Sequence, residues 1–240
     1  MDFAFLYETF VTLVSAIPTT LQLAATSVAL GTVLALGLAL CRLSGIAPLD
    51  WFARAYIFIF RGTPLLVQIF LIYYGLSQFR EVRRSMFWFI LRDPYWCAVI
   101  ALMLCTAAYS AEIIRGGLLS VPHGQVEAGR ASGMSRFMVF RRIVMPLAIR
   151  QSLPAYSNEI ISMVKATSLA SIITIMEITG VAAKLISETY RAIEVFIVAG
   201  AIYLAINFLL IRIVALIEYR LSPHLRQAPV LPPVAAGETR

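Results

Sequence analysis

The feature that most constrains this chain is a set of long segments without any charged residue. Residues 9–41 carry no charge, and neither do 62–79, 94–111 and 195–211. A helix of about 20 predominantly apolar residues spans the hydrocarbon core of a bilayer. Each of these runs therefore predicts a membrane-spanning helix, and Pro64 is expected in the first turn of the second one, where proline is tolerated.

Composition supports a membrane protein, because 60% of the 240 residues are hydrophobic and only 14% are charged. Soluble domains have about 25% charged residues. A fifth, weaker span is predicted in a segment interrupted by Arg150, Glu159 and Lys165. The expected fold is an all-α membrane protein, one domain over 1–226, followed by a proline-rich, disordered tail at 227–240. Its five predicted transmembrane helices are about 9–41, 62–79, 94–117, 146–176 and 195–217.

The positions of the basic residues predict the orientation of these spans. Thirteen of the twenty fall in 42–61, in 112–150 or after 211, whereas six fall in the loops 80–93 and 184–194. Cytoplasmic loops carry the excess of arginine and lysine. We therefore expect a periplasmic N-terminus and a cytoplasmic C-terminus. The net charge of +7 then reflects topology and requires no nucleic-acid partner.

Residue types exclude several chemistries. Lys165 and Lys184 follow valine and alanine, so the sequence has no Gly-Lys-Ser/Thr with which a P-loop binds phosphate. His123 and His224 are about a hundred residues apart, which excludes a His-Glu-x-x-His zinc pair. The three cysteines lie in apolar runs and predict neither disulfides nor a metal site. We expect no catalytic residue, no metal ligand and no cofactor in this chain.

Residues 50–61 mix aromatic residues with arginines. This pattern is typical of a helix that lies at the lipid headgroups, and an extension of the following span explains it equally well.

The cytoplasmic segment 118–145 predicts two short helices. Ser120 is expected to cap the first, with Pro122 early in its first turn. Gly133 should end it, because glycine adopts the left-handed conformation at no steric cost. Ser135 should cap the second helix, which continues to Pro146. Small residues three and four apart predict a smooth face that another protein can approach closely, namely Ala128, Ala131 and Ser132.

Glu127-Ala128-Gly129, Gly133 and Ile143-Val144-Met145-Pro146 resemble the EAA motif of binding-protein-dependent ABC importers. In that family the motif is the loop with which a membrane subunit docks on the ATP-hydrolysing subunit. Glycine replaces the second alanine at 129 and methionine replaces leucine at 145. We expect Gly129 to loosen its helix, since glycine costs about 1 kcal/mol against alanine.

Further motifs resemble the polar-amino-acid permeases of this family. They are Phe60-Arg61-Gly62-Thr63-Pro64-Leu65-Leu66-Val67-Gln68, Ala108-Tyr109-Ser110-Ala111-Glu112-Ile113-Ile114-Arg115-Gly116-Gly117 and Ser120-Val121-Pro122-His123-Gly124-Gln125. Lys165-Ala166-Thr167-Ser168-Leu169-Ala170-Ser171 and Glu177-Ile178-Thr179-Gly180 are most similar to the M subunits of histidine, lysine-arginine-ornithine and opine (octopine, nopaline) permeases.

The resemblance implies a type I ABC importer permease in a bacterial inner membrane. Its implied partners are a homologous Q-type permease, two ATPase subunits that bind ATP and magnesium, and a periplasmic solute-binding protein. The implied cargo is a polar, cationic amino acid or an opine. The ATPase-coupling residues would be Gly124, Glu127, Ala128, Gly129, Ser132, Gly133 and Met134.

Ionisable groups inside a membrane are costly and therefore indicate function. We expect Glu159 to face a polar cavity near the partner permease, where a cationic solute can pair with it; a contact to a neighbouring helix explains it equally well. The other predicted lining residues of the substrate path are Glu112, Ser162, Thr167, Ser168 and Ser171. Orientation of the docking loop explains Glu112 equally well, and helix–helix hydrogen bonding is the alternative role of Thr167, Ser168 and Ser171. Three alternatives remain open: a permease for glutamate, glutamine or another polar amino acid, a membrane enzyme that uses Glu112 or Glu159, and a channel.

Overall fold

The computed structural model describes residues 3–221, and these residues form helices with no β-strand among them. The helices are α1 (Phe3–Val14), α2 (Ile17–Leu43), α3 (Ala47–Gly62), α4 (Leu65–Phe70), α5 (Arg80–Arg84), α6 (Trp88–Leu91), α7 (Pro94–Leu119), α8 (His123–Ala131), α9 (Arg136–Val139), α10 (Met145–Ala166), α11 (Ile178–Thr189) and α12 (Ala192–Leu221). Helical turns of other types continue three of them, namely π at Leu71–Gly75, 3₁₀ at Leu76–Gln78, π at Phe140–Val144 and 3₁₀ at Thr167–Ile173. The proposed tail at 227–240 lies outside the described residues.

Within the described part, three helical segments are long and apolar enough to cross a membrane: Phe3–Leu43, Pro94–Leu119 and Ala192–Arg220. Two bent helix pairs bring the number to five if each pair counts as one span. The prediction of an all-helical membrane protein is therefore confirmed, with three to five candidate spans.

The helical segment predicted at 62–79 begins three residues later in the structure, where α4 and the turns that continue it cover Leu65–Gln78. Gly62 belongs to α3, and α4 leaves it at a bend of 104°. Pro64 is not in the first turn of a helix, because its backbone is extended and α4 begins at the next residue. Proline disfavours the helical conformation in the residue before it, so α3 ends just ahead of this position.

A buried glutamine satisfies the backbone at this bend. The Gln68 side chain donates from Nε2 to the carbonyl oxygens of Phe60 (3.0 Å) and Thr63 (3.1 Å) and to Thr63 Oγ1 (2.9 Å). These carbonyls lie at the end of α3 and lack helical partners. In a low-dielectric setting each unpaired polar group is costly, so Gln68 stabilises the break.

The predicted fourth span at 146–176 is also interrupted. α10 gives way to a 3₁₀ segment that ends at Thr174, whose φ of +69° is left-handed. The chain then bends by 46° into α11. In the predicted outer loop at 184–194, residues 184–189 are helical and complete α11.

α7 lies at the centre of the bundle and packs against α2, α3 and α10. Small residues allow these close approaches. A methyl group added at Gly117 would lie 2.8 Å from the Ala148 carbonyl oxygen and 2.9 Å from Ser152 Cβ, both on α10. One added at Gly31 of α2 would lie 3.0 Å from the Met103 carbonyl oxygen on α7.

Neighbouring glycines provide a matched test of the α7–α10 contact. We expect Gly117→Ala to lower stability by about 1–3 kcal/mol, because the new methyl group meets backbone and Cβ atoms that cannot rotate away. Gly116→Ala is the control, since no atom lies within 4 Å of the added methyl group. It should be neutral or stabilising by up to about 1 kcal/mol. Apparent melting temperatures of the two purified variants check this, and equal shifts would contradict the contact.

Candidate functional site

Residues 118–145 connect α7 to α10 and contain the predicted docking helices. Ser120 does not cap α8, contrary to the sequence prediction. It follows the last residue of α7, and its hydroxyl donates to the Gly117 carbonyl oxygen at 2.8 Å. The first docking helix, α8, begins only at His123, because Pro122 is extended and forces an extended approach on the residue before it.

The turn between α8 and α9 agrees with the prediction. Gly133 has a left-handed φ of +80°, and its N–H donates to the Arg130 carbonyl oxygen at 2.9 Å. The Met134 N–H donates to the Gly129 carbonyl oxygen at 3.1 Å. The Ser135 hydroxyl accepts from the Met138 N–H at 3.3 Å and caps α9. We call residues 123–139, which comprise α8, this turn and α9, the docking unit.

Gly129, which replaces the second alanine of the EAA motif, is buried where α8 meets the chain that follows α9. A methyl group there would lie 2.5 Å from Ile143 Cδ1 and 3.3 Å from Val139 Cγ2. The sulfur atom of half-buried Met134 would lie 3.7 Å from the same methyl group, in ordinary van der Waals contact. The glycine therefore allows α8 to pack closely against Val139 and Ile143, which the expectation of a loosened helix did not include.

The other predicted coupling residues lie on the outside of the docking unit. Gly124, Glu127, Ala128 and Ser132 are exposed, and so is Gly133. The Ser132 hydroxyl donates to the Ala128 carbonyl oxygen at 2.9 Å. This exposed face of small residues around one carboxylate suits close contact with another protein.

Glu112, a predicted path residue, joins a cluster of ion pairs at the end of α7. It accepts from Arg42 Nε at 3.1 Å and from Arg115 Nη2 at 2.7 Å. Arg42 also pairs with Asp50, which in turn pairs with Arg54 at 2.8 Å. The cluster links α2, α3 and α7 and borders an open cleft of about 530 Å³. Glu112 therefore links α7 to α2, and the Arg42–Asp50 pair extends the cluster to α3.

Glu159, the other predicted acidic residue, is half-buried in α10. It makes no hydrogen bond or ion pair with another residue in the described range 3–221. Cys105 of α7 and Arg61 of α3 lie near enough to interact with it electrostatically. The guanidinium carbon of Arg61 lies over the Tyr109 ring, 4.9 Å from the ring centroid. The carboxylate thus faces neighbouring helices without a bonded counter-ion there.

The predicted hydroxyl residues lie on and just beyond the end of α10. Three of their side chains donate to carbonyl oxygens of their own chain three residues earlier, each at 2.7 Å: Thr167 to Val164, Ser168 to Lys165 and Ser171 to Ser168. Thr167 is buried, whereas Ser168 and Ser171 are half-buried. Ser162 is exposed. These bonds satisfy the hydroxyl donors and leave oxygen lone pairs for other groups.

The sequence reasoning missed the role of Glu177. This residue is fully buried (0% exposed) at the break before α11. Its Oε1 accepts from the Gly180 N–H at 2.8 Å and caps α11, and its Oε2 accepts from the Tyr203 hydroxyl of α12 at 2.6 Å. The next N–H, that of Ile178, donates to Thr20 Oγ1 of α2 at 3.3 Å. A carboxylate followed three residues later by glycine, inside an apolar stretch, is the signal that could have indicated this cap.

The helical bundle, its bent pairs and the exposed docking unit define a membrane permease. Residues 27–223 match the family described as binding-protein-dependent transport system inner membrane component. The chain therefore belongs to this family.

Similar proteins agree with this assignment. The chain is 67% identical over 225 residues to the octopine transport system permease protein OccM of Rhizobium radiobacter, covering 94% of this chain and 92% of that protein. It is 55% identical over 227 residues to the nopaline transport system permease protein NocM of Agrobacterium fabrum, covering 94% of each chain. A solved structure described as an amino acid ABC transporter with histidines is 36% identical, covers 92% of this chain and 99% of that one, and has a TM-score of 0.81.

The protein is accordingly a permease subunit of a binding-protein-dependent ABC importer and an inner membrane component. ATP hydrolysis in such importers belongs to a separate subunit, so this chain is not an enzyme. These findings exclude the alternatives of a membrane enzyme and a channel.

The Tyr203–Glu177 hydrogen bond can be tested by removing one hydroxyl. We expect Tyr203→Phe to lower the stability of the purified permease by about 1–3 kcal/mol, because a buried carboxyl oxygen loses its partner. Tyr7→Phe is the control, since Tyr7 is 72% exposed. Apparent melting temperatures measure both effects. An unchanged melting temperature for Tyr203→Phe would contradict a stabilising role for this bond.

Proposed function

We propose that this chain forms one half of a translocation path for a polar, cationic amino acid or an opine. Each bent helix pair counts as one span, which gives five spans with the N-terminus in the periplasm and the C-terminus in the cytoplasm. The distribution of arginines supports this orientation, because the docking unit then lies on the basic, cytoplasmic side.

In this proposal the docking unit is the coupling helix pair between the third and fourth spans. The exposed face around Glu127 inserts into a groove on an ATPase subunit and transmits its closure to α7 and α10. Direct chain continuity supports the transmission, since α7 ends at Leu119 and α9 runs on through Phe140–Val144 into α10. The importer then alternates between two states that ATP and the loaded binding protein favour differently.

The proposed assembly contains this M-type subunit, a homologous Q-type permease, two ATPase subunits and a periplasmic solute-binding protein. ATP and magnesium are held by the ATPase subunits. The family of the chain supports these partners, because its description names a binding-protein-dependent transport system.

Charge reversal tests the docking assignment. We expect Glu127→Lys to abolish most co-purification of the ATPase subunits and to reduce solute uptake at least about tenfold, since a wrong charge in an interface costs several kcal/mol and about 1.4 kcal/mol corresponds to tenfold. Glu188→Lys makes the same change at an exposed residue near the end of α11. The proposed topology places that end of α11 on the outer side. This control should retain the ATPase. If Glu127→Lys keeps both ATPase binding and uptake, Glu127 is not a coupling residue.

The proposed solute is cationic because Glu159 is a half-buried carboxylate without a bonded partner in residues 3–221. A solute cation is the counter-ion that such a group needs. Its half of the path would continue along Ser162, Thr167, Ser168 and Ser171, with Glu112 at the inner end. The similarity to permeases named for octopine and nopaline supports the same solute class. Glutamate, glutamine or another polar amino acid is the competing cargo.

Neutralising Glu159 tests the solute assignment. We expect Glu159→Gln to raise the half-saturation concentration for a cationic solute by roughly tenfold, because a charge-assisted bond is worth about 1.5–3 kcal/mol. Uptake by the reconstituted importer, compared between labelled arginine, octopine and glutamine, provides the measurement. Glu188→Gln is the control for an exposed carboxylate. Unchanged rate and half-saturation for every solute would remove Glu159 from the path.

A further inference from the structure

One short segment concentrates exposed positive charge at the end of the bundle opposite the docking unit. Residues 79–92, here called the arginine segment, come directly before α7. The docking unit comes after the other end of α7. α7 has 26 residues and is therefore about 39 Å long, against about 30 Å for the hydrocarbon core. The arginine segment consequently lies at the membrane surface, on the side away from the docking unit.

Four arginines in this segment are exposed and have no ion-pair partner among residues 3–221: Arg80, Arg83, Arg84 and Arg92. The segment contains one acidic residue, Glu81. Arg191, near the start of α12, differs, since it pairs with Glu194 at 2.9 Å and stacks over Phe5. With four arginines against Glu81, and Asp93 directly after it, the arginine segment keeps a net positive charge.

Large apolar side chains lie before and between these arginines and are also exposed. The exposed fractions are 58% for Phe79, 80% for Met86, 62% for Phe87 and 65% for Phe89. Four such side chains in eleven residues would be unfavourable in water. At a bilayer surface they can enter the acyl region while the arginine heads remain among the phosphates.

We propose that the arginine segment is a binding surface for anionic phospholipid headgroups. The guanidinium groups donate to the phosphate oxygens, and the aromatic side chains hold the segment at the depth of those phosphates. An exposed aromatic run next to exposed arginines, directly before a helix long and apolar enough to span a membrane, favours a lipid surface over an acidic protein partner. The test includes that partner as an outcome.

A fluorophore attached beside the arginine segment of the assembled importer can report which lipids surround that segment. Gln78→Cys places an exposed thiol beside the segment without changing its charge, whereas Cys97 and Cys105 are buried and Cys41 is half-buried. The labelled importer, with partner subunits free of reactive thiols, is placed in nanodiscs. Quenching by brominated phosphatidylglycerol is compared with quenching by brominated phosphatidylcholine at equal mole fraction.

We expect phosphatidylglycerol to quench at least about twofold more strongly, because each basic residue near the surface favours anionic lipid. Arg80→Gln, Arg83→Gln and Arg84→Gln together should reduce this ratio to about one. The matched triple change to lysine keeps the charge and should keep the preference. Where the triple glutamine variant does not assemble, Arg83→Gln alone should lower the ratio.

Two results would overturn the proposal. One is equal quenching of the unsubstituted segment by the two lipids. The other is an undiminished preference in the glutamine variants. If lipid preference is absent and the triple glutamine variant instead loses stimulation of ATP hydrolysis by the loaded binding protein, the segment contacts that protein.

Discussion

The close approach of α7 to α2 and α10 is the contact on which the rest of the bundle depends. Helices in lipid gain little from burying apolar surface against each other, so their association relies on packing and on polar contacts. Gly31 and Gly117 permit that packing by leaving no side chain between the helices. Because α7 also carries Glu112 and leads into residues 123–139, its position determines where the ion cluster and those residues lie.

Polar side chains allow the other helices to bend inside this bundle. Gln68 satisfies the end of α3 at the 104° bend, and Glu177 caps α11 after the break that follows α10. Each replaces helical hydrogen bonds that the bend removes, as a low-dielectric environment requires. Glu177 also receives the Tyr203 hydroxyl, so the second break is fastened to α12. The two bent pairs are thus well-defined elements and not irregular connections.

Glu112 and Glu159, the two acidic residues predicted to line the substrate path, differ in the partners that surround them. Glu112 is bound by Arg42 and Arg115 and holds helices together. Glu159, one of the same residue type at comparable burial, has no such bonds in the described chain. Among the described residues, Glu159 has only the electrostatic influence of Arg61 nearby, without a hydrogen bond or ion pair. The sequence predicted the same role for both, because each is a carboxylate near or inside a predicted span.

The sequence by itself determined that this is a helical membrane permease, since charge-free runs and the EAA-like residues are local patterns that need no tertiary information. It also located the Gly133 turn and the Ser135 cap, which depend on one residue each. Only the tertiary structure decided that the chain bends at Thr63–Pro64, that Gly129 packs against Ile143 and that Glu177 links α11 to α12. Those outcomes depend on contacts between residues distant in sequence or on packing across a turn, which hydrophobic periodicity does not encode.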